Sequence, residues 1–155
     1  METLLDFLDE TPNKLAEFAA RLSAVELRLK NSEAEFSLLE NICHLRDLEL
    51  QGYTPRIKRM LSEVDPLLVD FDGAKVAAES NYNGEPVEPA LQAFATARLE
   101  NVRILRSSTG EQLKRGGMLE GVGKITLEQL AEKMREHDDG HLEDLRVLRQ
   151  RLEQR

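Results

Sequence analysis

The chain has 155 residues, 41% of them hydrophobic and 32% charged, and a formal net charge of -8. That balance fits one soluble domain spanning 1–155 with a single core, and its sign repels phosphate backbones, so direct nucleic-acid binding is not expected. No apolar run approaches the ~20 residues of a membrane span, and the acidic start METLLDFLDE lacks the cationic region of a signal peptide. The lone Cys43 has no partner for an intramolecular disulfide, which makes a reducing cytoplasm the expected compartment.

Leu, Ala, Glu and Arg dominate the composition and favour helices. In chain order, a short helix is expected over about Glu2–Asp9, anchored by Leu4, Leu5 and Leu8. A second start follows, with Thr11 as N-cap and Pro12 at the first helical position. Behind it Leu15, Phe18, Leu22, Val25 and Leu29 recur at helical spacing. The stretch FSLLENICHLRDLELQGYTPRIKRMLSEV opens with a capping box, Ser37-x-x-Glu40, and predicts a helix to about Ser62, bent at Pro55. Residues 63–88, which include Pro66, Gly73, Gly84 and Pro86, read as a long connection with a short helix around Ala74–Ser80. A third main helix starts at Pro89 and runs through ALQAFATARLENVRILR. The glycine-rich SSTGEQLKRGGMLEGVGK reads as a second irregular connection. A capping box, Thr126-x-x-Gln129, then opens a helix that continues to near the terminus. Four main helices with long second and third connections make an all-α four-helix bundle with a crossover.

The last helix carries an inward stripe of Leu127, Leu130, Met134, His137, His141, Leu145, Leu148 and Leu152. His137 and His141 therefore leave one face, one turn apart, among apolar neighbours. Such a pair either grips one cation from both rings or places each imidazole against a buried polar partner. Gly140 beside them leaves room for a ligand or for a packed neighbour. His44 lies off the apolar arc of helix two (Leu38, Leu39, Ile42, Leu45, Leu50, Tyr53, Ile57, Met60, Leu61), on a polar strip with Asn41, Asp47, Leu48 and Gln51. That strip is either exposed or lines a cavity, and in the second case His44 completes a three-histidine set with Asp47 as an acceptor for a ring nitrogen. Glu49 and Arg56 interrupt the arc of helix two, and Arg98 interrupts the stripe Leu91, Phe94, Ala95, Val102, Leu105 of helix three. Because an unpartnered buried charge is very costly, a Glu49–Arg56 or Glu49–Arg98 network is expected, with an arginine anchoring an anionic substrate group as the alternative. Cys43 faces the apolar arc as a small buried residue rather than a nucleophile.

With SLLENICHLRDLELQGYTPRI followed far downstream by EHDDGHL, the chain resembles the DinB/YfiT-like superfamily. The shared pattern is H-L-x-D-x-E on helix two, here His44, Asp47 and Glu49, and H-D-x-x-H on the last helix, here His137, Asp138 and His141. The likeness extends from about Thr11 to Leu145 and includes PLLVDFDGAKVAAESNY, ALQAFATAR and GKITLEQL. Two tryptophans common in that family are replaced by Phe36 and Leu113. The resemblance implies an up-down-down-up four-helix bundle. It also implies a divalent metal, zinc or nickel, on His44, His137 and His141, with Asp47 and Asp138 as candidate supports behind the ligands, and a homodimer. Apolar residues near Leu4, Leu5 and Phe7 are candidates for the dimer contact.

Three neutral nitrogens with open positions suit a catalytic rather than a closed structural site, where the ion acts as a Lewis acid. The resemblance points to a transferase, in some relatives dependent on a low-molecular-weight thiol, or to a hydrolase, acting on a small molecule. The competing reading is a non-catalytic, stress-associated dimeric binding protein with a structural or vestigial metal.

Overall fold

A computed structural model describes residues 1–155. In chain order its elements are α1 (Glu2–Ala20), α2 (Leu38–Asp47), a π-helical segment (Leu48–Tyr53), α3 (Thr54–Ser62), β1 (Leu67–Leu68), α4 (Gly73–Glu79), α5 (Val87–Ser107), α6 (Gly110–Leu113), β2 (Gly116–Leu119), β3 (Gly123–Thr126) and α7 (Leu127–Glu153). Four long rods form the bundle: α1, the composite α2–π–α3, α5 and α7. Their directions follow from which residues meet. Arg106 of α5 reaches Asp6 while Arg98 reaches Leu8, so α1 and α5 run antiparallel. Glu49 meets Arg98, and Thr54 meets Asn101, so the composite rod and α5 run parallel. Asn41 meets His141, and His44 meets His137, so the composite rod and α7 oppose each other. The bundle is up-down-down-up, as the resemblance implies. No helix is long and apolar enough to cross a membrane.

The capping boxes at Ser37–Glu40 and Thr126–Gln129 form as the sequence specifies. The expected break before Pro12 does not form. The helix α1 continues straight through that residue, and Thr11 is buried with its hydroxyl donating to the Phe7 carbonyl at 3.2 Å rather than capping a new helix. The Pro12 nitrogen has no proton to give the Leu8 carbonyl, and Arg98 Nη1 of α5 donates to that oxygen instead, at 3.3 Å. A tertiary donor thus replaces the missing helical one. In the second rod the disruption lies ahead of Pro55, where the turn widens and the Thr54 N–H bonds the Glu49 carbonyl. Regular 100° stepping fails across such a wide turn. Leu50, expected in the core, is consequently 44% exposed, whereas Leu48 and Glu49 are buried.

The glycine-rich second connection is not irregular. β2 and β3 form an antiparallel hairpin through Gly121 and Gly123, whose φ values of 76° and 109° favour glycine. β1 from the first connection adds parallel to β2. Gly117 lies so close to Leu68 that an added Cβ would sit 2.8 Å from its Cδ1. The two long connections are thereby sewn together over one end of the bundle, where Leu68, Leu119 and Ile125 join the core. Gly140 faces open space, with nothing within 4 Å of an added Cβ, so no packed neighbour requires a glycine there. In the patch at the start of α1, Leu5 is 1% exposed, whereas Leu4 and Phe7 pack against the core and stay partly exposed.

Apolar packing falls into two clusters. One holds Leu8, Ile57, Val102, Leu130 and Met134, and the other holds Leu15, Ile42, Leu45, Phe94, Leu145 and Leu148. Between them lies a polar layer centred on Arg98, which is fully buried with Glu49 and Asp138. Arg98 donates to Glu49 from Nε at 3.0 Å and from Nη2 at 2.9 Å, and to Asp138 from Nη2 at 3.1 Å and from Nη1 at 2.5 Å. Of the two networks expected for Glu49, the one with Arg98 forms and the one with Arg56 does not. Asn101 Nδ2 adds a donor to Glu49 at 2.8 Å. Burial is the largest influence on the Arg98 guanidinium and works against its charge, but Glu49 and Asp138 overcome it and hold the pKa above the ordinary value. Substituting Arg98→Met strands two carboxylates in the core, and we expect a loss of about 3–5 kcal/mol in urea denaturation; a loss below about 1 kcal/mol contradicts this reading of the layer.

Candidate metal centre

The α2 and α7 rods cross so that three imidazoles converge beside the Arg98 layer. His44 Nε2 lies 3.4 Å from His137 Nε2, which lies 3.2 Å from His141 Nε2. The ligand atoms of all three lie within 4.8 Å of one another. The polar strip of helix two therefore faces inward at Asn41, His44 and Asp47, with Gln51 exposed, and His44 is 8% exposed. Gly73, at the start of α4, is what admits its ring: an added Cβ there would stand 2.6 Å from His44 Cε1. Aromatic walls enclose the cluster, with Phe36 at 5.5 Å and Phe71 at 6.3 Å from the His44 ring, and Tyr53 edge-on to His137 at 6.5 Å. On the Phe36 and Asn41 side a cavity of about 400 Å³ opens, bounded also by Val147, Leu148 and an Arg151–Glu35 pair at 3.6 Å.

Asn41 fixes one ring. Its Nδ2 donates to the Ser37 carbonyl at 2.9 Å, which leaves Oδ1 to accept from His141 Nδ1 at 2.7 Å. The proton of His141 thus sits on Nδ1, and its Nε2 lone pair faces the cluster. Asn41 stands one turn before His44 on the same strip, a spacing visible in the sequence, although the partner across the bundle is not. The two carboxylates expected to orient rings do other work. Asp47 accepts from the Tyr82 hydroxyl at 2.6 Å and from Arg46 Nε at 2.8 Å. Asp138 is held by Arg98. The α7 stripe is turned slightly from the expected one, so Asp138 points fully inward and His137 and His141 sit at the edge of the core. Cys43 is fully buried, and burial, with the Glu85 charge next, pushes its thiol up to about 12, which fits the apolar role expected of it.

The donor set fits a divalent cation. A four-coordinate ion with bonds of about 2.0–2.1 Å spaces its nitrogens about 3.4 Å apart, close to the two separations present here. Hydrogen bonding alone serves the cluster poorly, because His137 carries at most one Nε2 proton for two neighbouring nitrogens. His44 Nδ1 and His137 Nδ1 are buried without partners, on the ring side away from the converging Nε2 atoms. Burial first, and His137 second, push His44 down to about 4, with Asp47 partly opposing. Burial first, then His137 and His44, push His141 down to about 3. His137 is lowered chiefly by burial, with Asp138 and Glu49 opposing and Arg98 reinforcing the shift. All three are neutral near pH 7, the form that offers lone pairs to a metal.

A sequence model described as the DinB superfamily matches residues 8–145. The chain belongs to the DinB superfamily. Among solved structures, YfiT from Bacillus subtilis, described as "a probable metal-dependent hydrolase with an unusual four-helix bundle topology", superposes with a TM-score of 0.89 at 20% identity, over 97% of this chain and 86% of its own. A DinB-like protein, YjoA, from the same organism superposes with a TM-score of 0.62 at 22% identity, over 97% of this chain and 92% of its own. At those identities the likeness establishes the DinB fold, and no curated protein matches the chain significantly.

The lowered histidine pKa values carry a stability consequence for metal-free protein. Well above pH 6.5 the imidazoles are neutral in both folded and unfolded chains and contribute no slope. Below pH 6.5 the unfolded chain takes up protons first, while the folded rings wait until about 4 and about 3, so stability falls with pH across that window. The urea midpoint of metal-free protein should drop between pH 6.5 and about 5, before most carboxylates titrate, and a His44→Gln/His141→Gln double variant should flatten that drop. An equal slope in both proteins contradicts the assignment.

Proposed function

We propose that this DinB-superfamily protein is a metal-dependent enzyme that acts on a small molecule, with zinc or nickel held by His44, His137 and His141. The observation that carries the reading is the meeting of three Nε2 atoms from two antiparallel rods, two of their separations being 3.2 and 3.4 Å. The description of YfiT supports hydrolysis as the reaction class, and transfer of a group to another nucleophile uses the same site. The ion supplies Lewis acidity there. The chain's own residues supply the rest. Asn41 holds the His141 ring in the tautomer that offers its Nε2. Phe36, Phe71 and Tyr53 exclude bulk water from the rings. Glu49 and Asp138, two carboxylates against one guanidinium, leave a net negative charge beside His137 that favours a cation. The cavity of about 400 Å³ is lined by Phe36 and Asn41, which contact the cluster, and by none of the three histidines, so it offers a small molecule space beside the site.

Protein purified without added metal should carry about one divalent ion per chain by elemental analysis. His137→Ala and His141→Ala should each lose the ion while keeping helical circular dichroism. A panel of small esters, amides and phosphoesters should show turnover that chelation abolishes and metal restores. Retention of a stoichiometric ion by both variants overturns the ligand assignment.

A further inference from the structure

Arginines on the elements that build the metal centre differ in one respect. Arg46 is paired with Asp47 and Glu85, Arg98 with Glu49 and Asp138, and Arg151 with Glu35. Arg56 forms no ion pair, and the Asp70 carboxylate acts on it only at longer range. It is 7% exposed, its Nε is buried with no acceptor, and its one hydrogen bond runs from Nη2 to the Val69 carbonyl at 3.1 Å. A guanidinium presents five N–H donors in a planar fork, so four of those of Arg56 lack a protein acceptor, and the one on Nε is buried as well. Unpaired buried cations are costly enough to be rare.

The surroundings place this cation on the flank of the histidine cluster. The Arg56 guanidinium lies 5.8 Å from the Tyr53 ring, and that ring also meets His137 at 6.5 Å. Gly52, inside the π-helical segment, lies alongside: an added Cβ there would stand 2.8 Å from Leu48 Cδ1 and at ordinary contact distance from Phe71 Cβ, 3.6 Å, and Arg56 Cζ, 3.8 Å. Phe71 in turn faces His44. The Tyr53 hydroxyl is influenced by burial and by charges, with no hydrogen bond contributing, and it and Arg56 act on each other electrostatically. An unpaired guanidinium and an unbonded hydroxyl therefore stand together beside the centre, and the widened turn at 48–53 is what brings both to that flank.

We propose that Arg56, assisted by Tyr53, binds an oxyanion, a carboxylate or a phosphate, carried by the substrate of the metal centre. The proposal rests on the metal-dependent reading above and adds the substrate class: a small molecule with an anionic group one aromatic ring removed from the reacting position. Arg56 is a substrate-positioning residue here and takes no proton.

Calorimetric titration of zinc-loaded protein with acetate and with inorganic phosphate at fixed ionic strength tests it. One of the two anions should bind saturably at one per chain, and the better of them identifies the group as carboxylate or phosphoryl. Arg56→Met should weaken that binding at least about tenfold, Arg56→Lys less, and Tyr53→Phe measurably. Arg56→Met should also keep its zinc, and its urea midpoint in anion-free buffer should not fall, because removing an unpaired buried cation relieves rather than adds strain. Undiminished anion binding in Arg56→Met overturns the proposal, as does absence of saturable binding of both anions to the wild-type protein. A drop in stability with unchanged anion affinity assigns Arg56 to anchoring the backbone at Val69, just after β1, and also overturns it. Zinc content measured on the same samples separates this outcome from failure of the metal site, since loss of zinc in wild-type protein counts against the metal reading alone.

Discussion

One guanidinium ties the four rods together. Arg98 projects from α5 and bonds Glu49 of the composite second rod, Asp138 of α7 and the Leu8 carbonyl of α1, with every N–H donor engaged. Apolar packing tolerates small rotations of a helix, whereas this fork admits one arrangement of three partners. The Leu8 carbonyl is free to accept because Pro12 cannot donate to it. Glu49 faces inward because the turn around it is widened. Two local departures from ideal helix geometry are thus what the single buried cation requires.

The metal centre inherits its geometry from that layer. Asp138 and His137 are adjacent on α7, so fixing the carboxylate on Arg98 fixes the rotation of α7 that presents His137 and His141. Glu49 does the same for the second rod, from which His44 and Asn41 project. The strap after β1 closes the arrangement, with Gly73 against the His44 ring and Phe71 beside it. Burial then keeps the rings neutral, so the same desolvation that shapes the cluster prepares it for a cation.

Much of this was legible in the residues. Threes and fours along α7 place both histidines on the inner face, capping boxes mark the starts of α2 and α7, and the charges at 49 and 98 interrupt apolar stripes so plainly that their pairing follows from the cost of leaving them alone. His44 was undecided by periodicity, since a strip that lines a cavity has the same composition as one that faces water; the family resemblance resolved it. Other features escaped because they depend on partners distant in sequence. Pro12 looks like a helix start unless a donor from α5 covers Leu8. The wide turn shifts the phase that sends Leu50 outward, and no local signal distinguishes it from a proline bend. The glycines at 121 and 123 suit a hairpin as well as a loop, and only the covering strand from residues 67–68 makes the hairpin worth forming. Asp47 and Asp138 stand where ring-orienting carboxylates are expected, but Tyr82 and Arg98 claim them, and Asn41 takes that part for His141.

The arrangement proposed for the cluster is three imidazole nitrogens sharing one divalent ion. X-ray absorption at the metal edge of zinc-loaded protein reads that shell directly. The account predicts about three nitrogen scatterers at about 2.0–2.1 Å with the outer-shell pattern of imidazole rings, and no sulfur at about 2.3 Å. A shell of oxygens without imidazole scattering, or one containing sulfur, contradicts it.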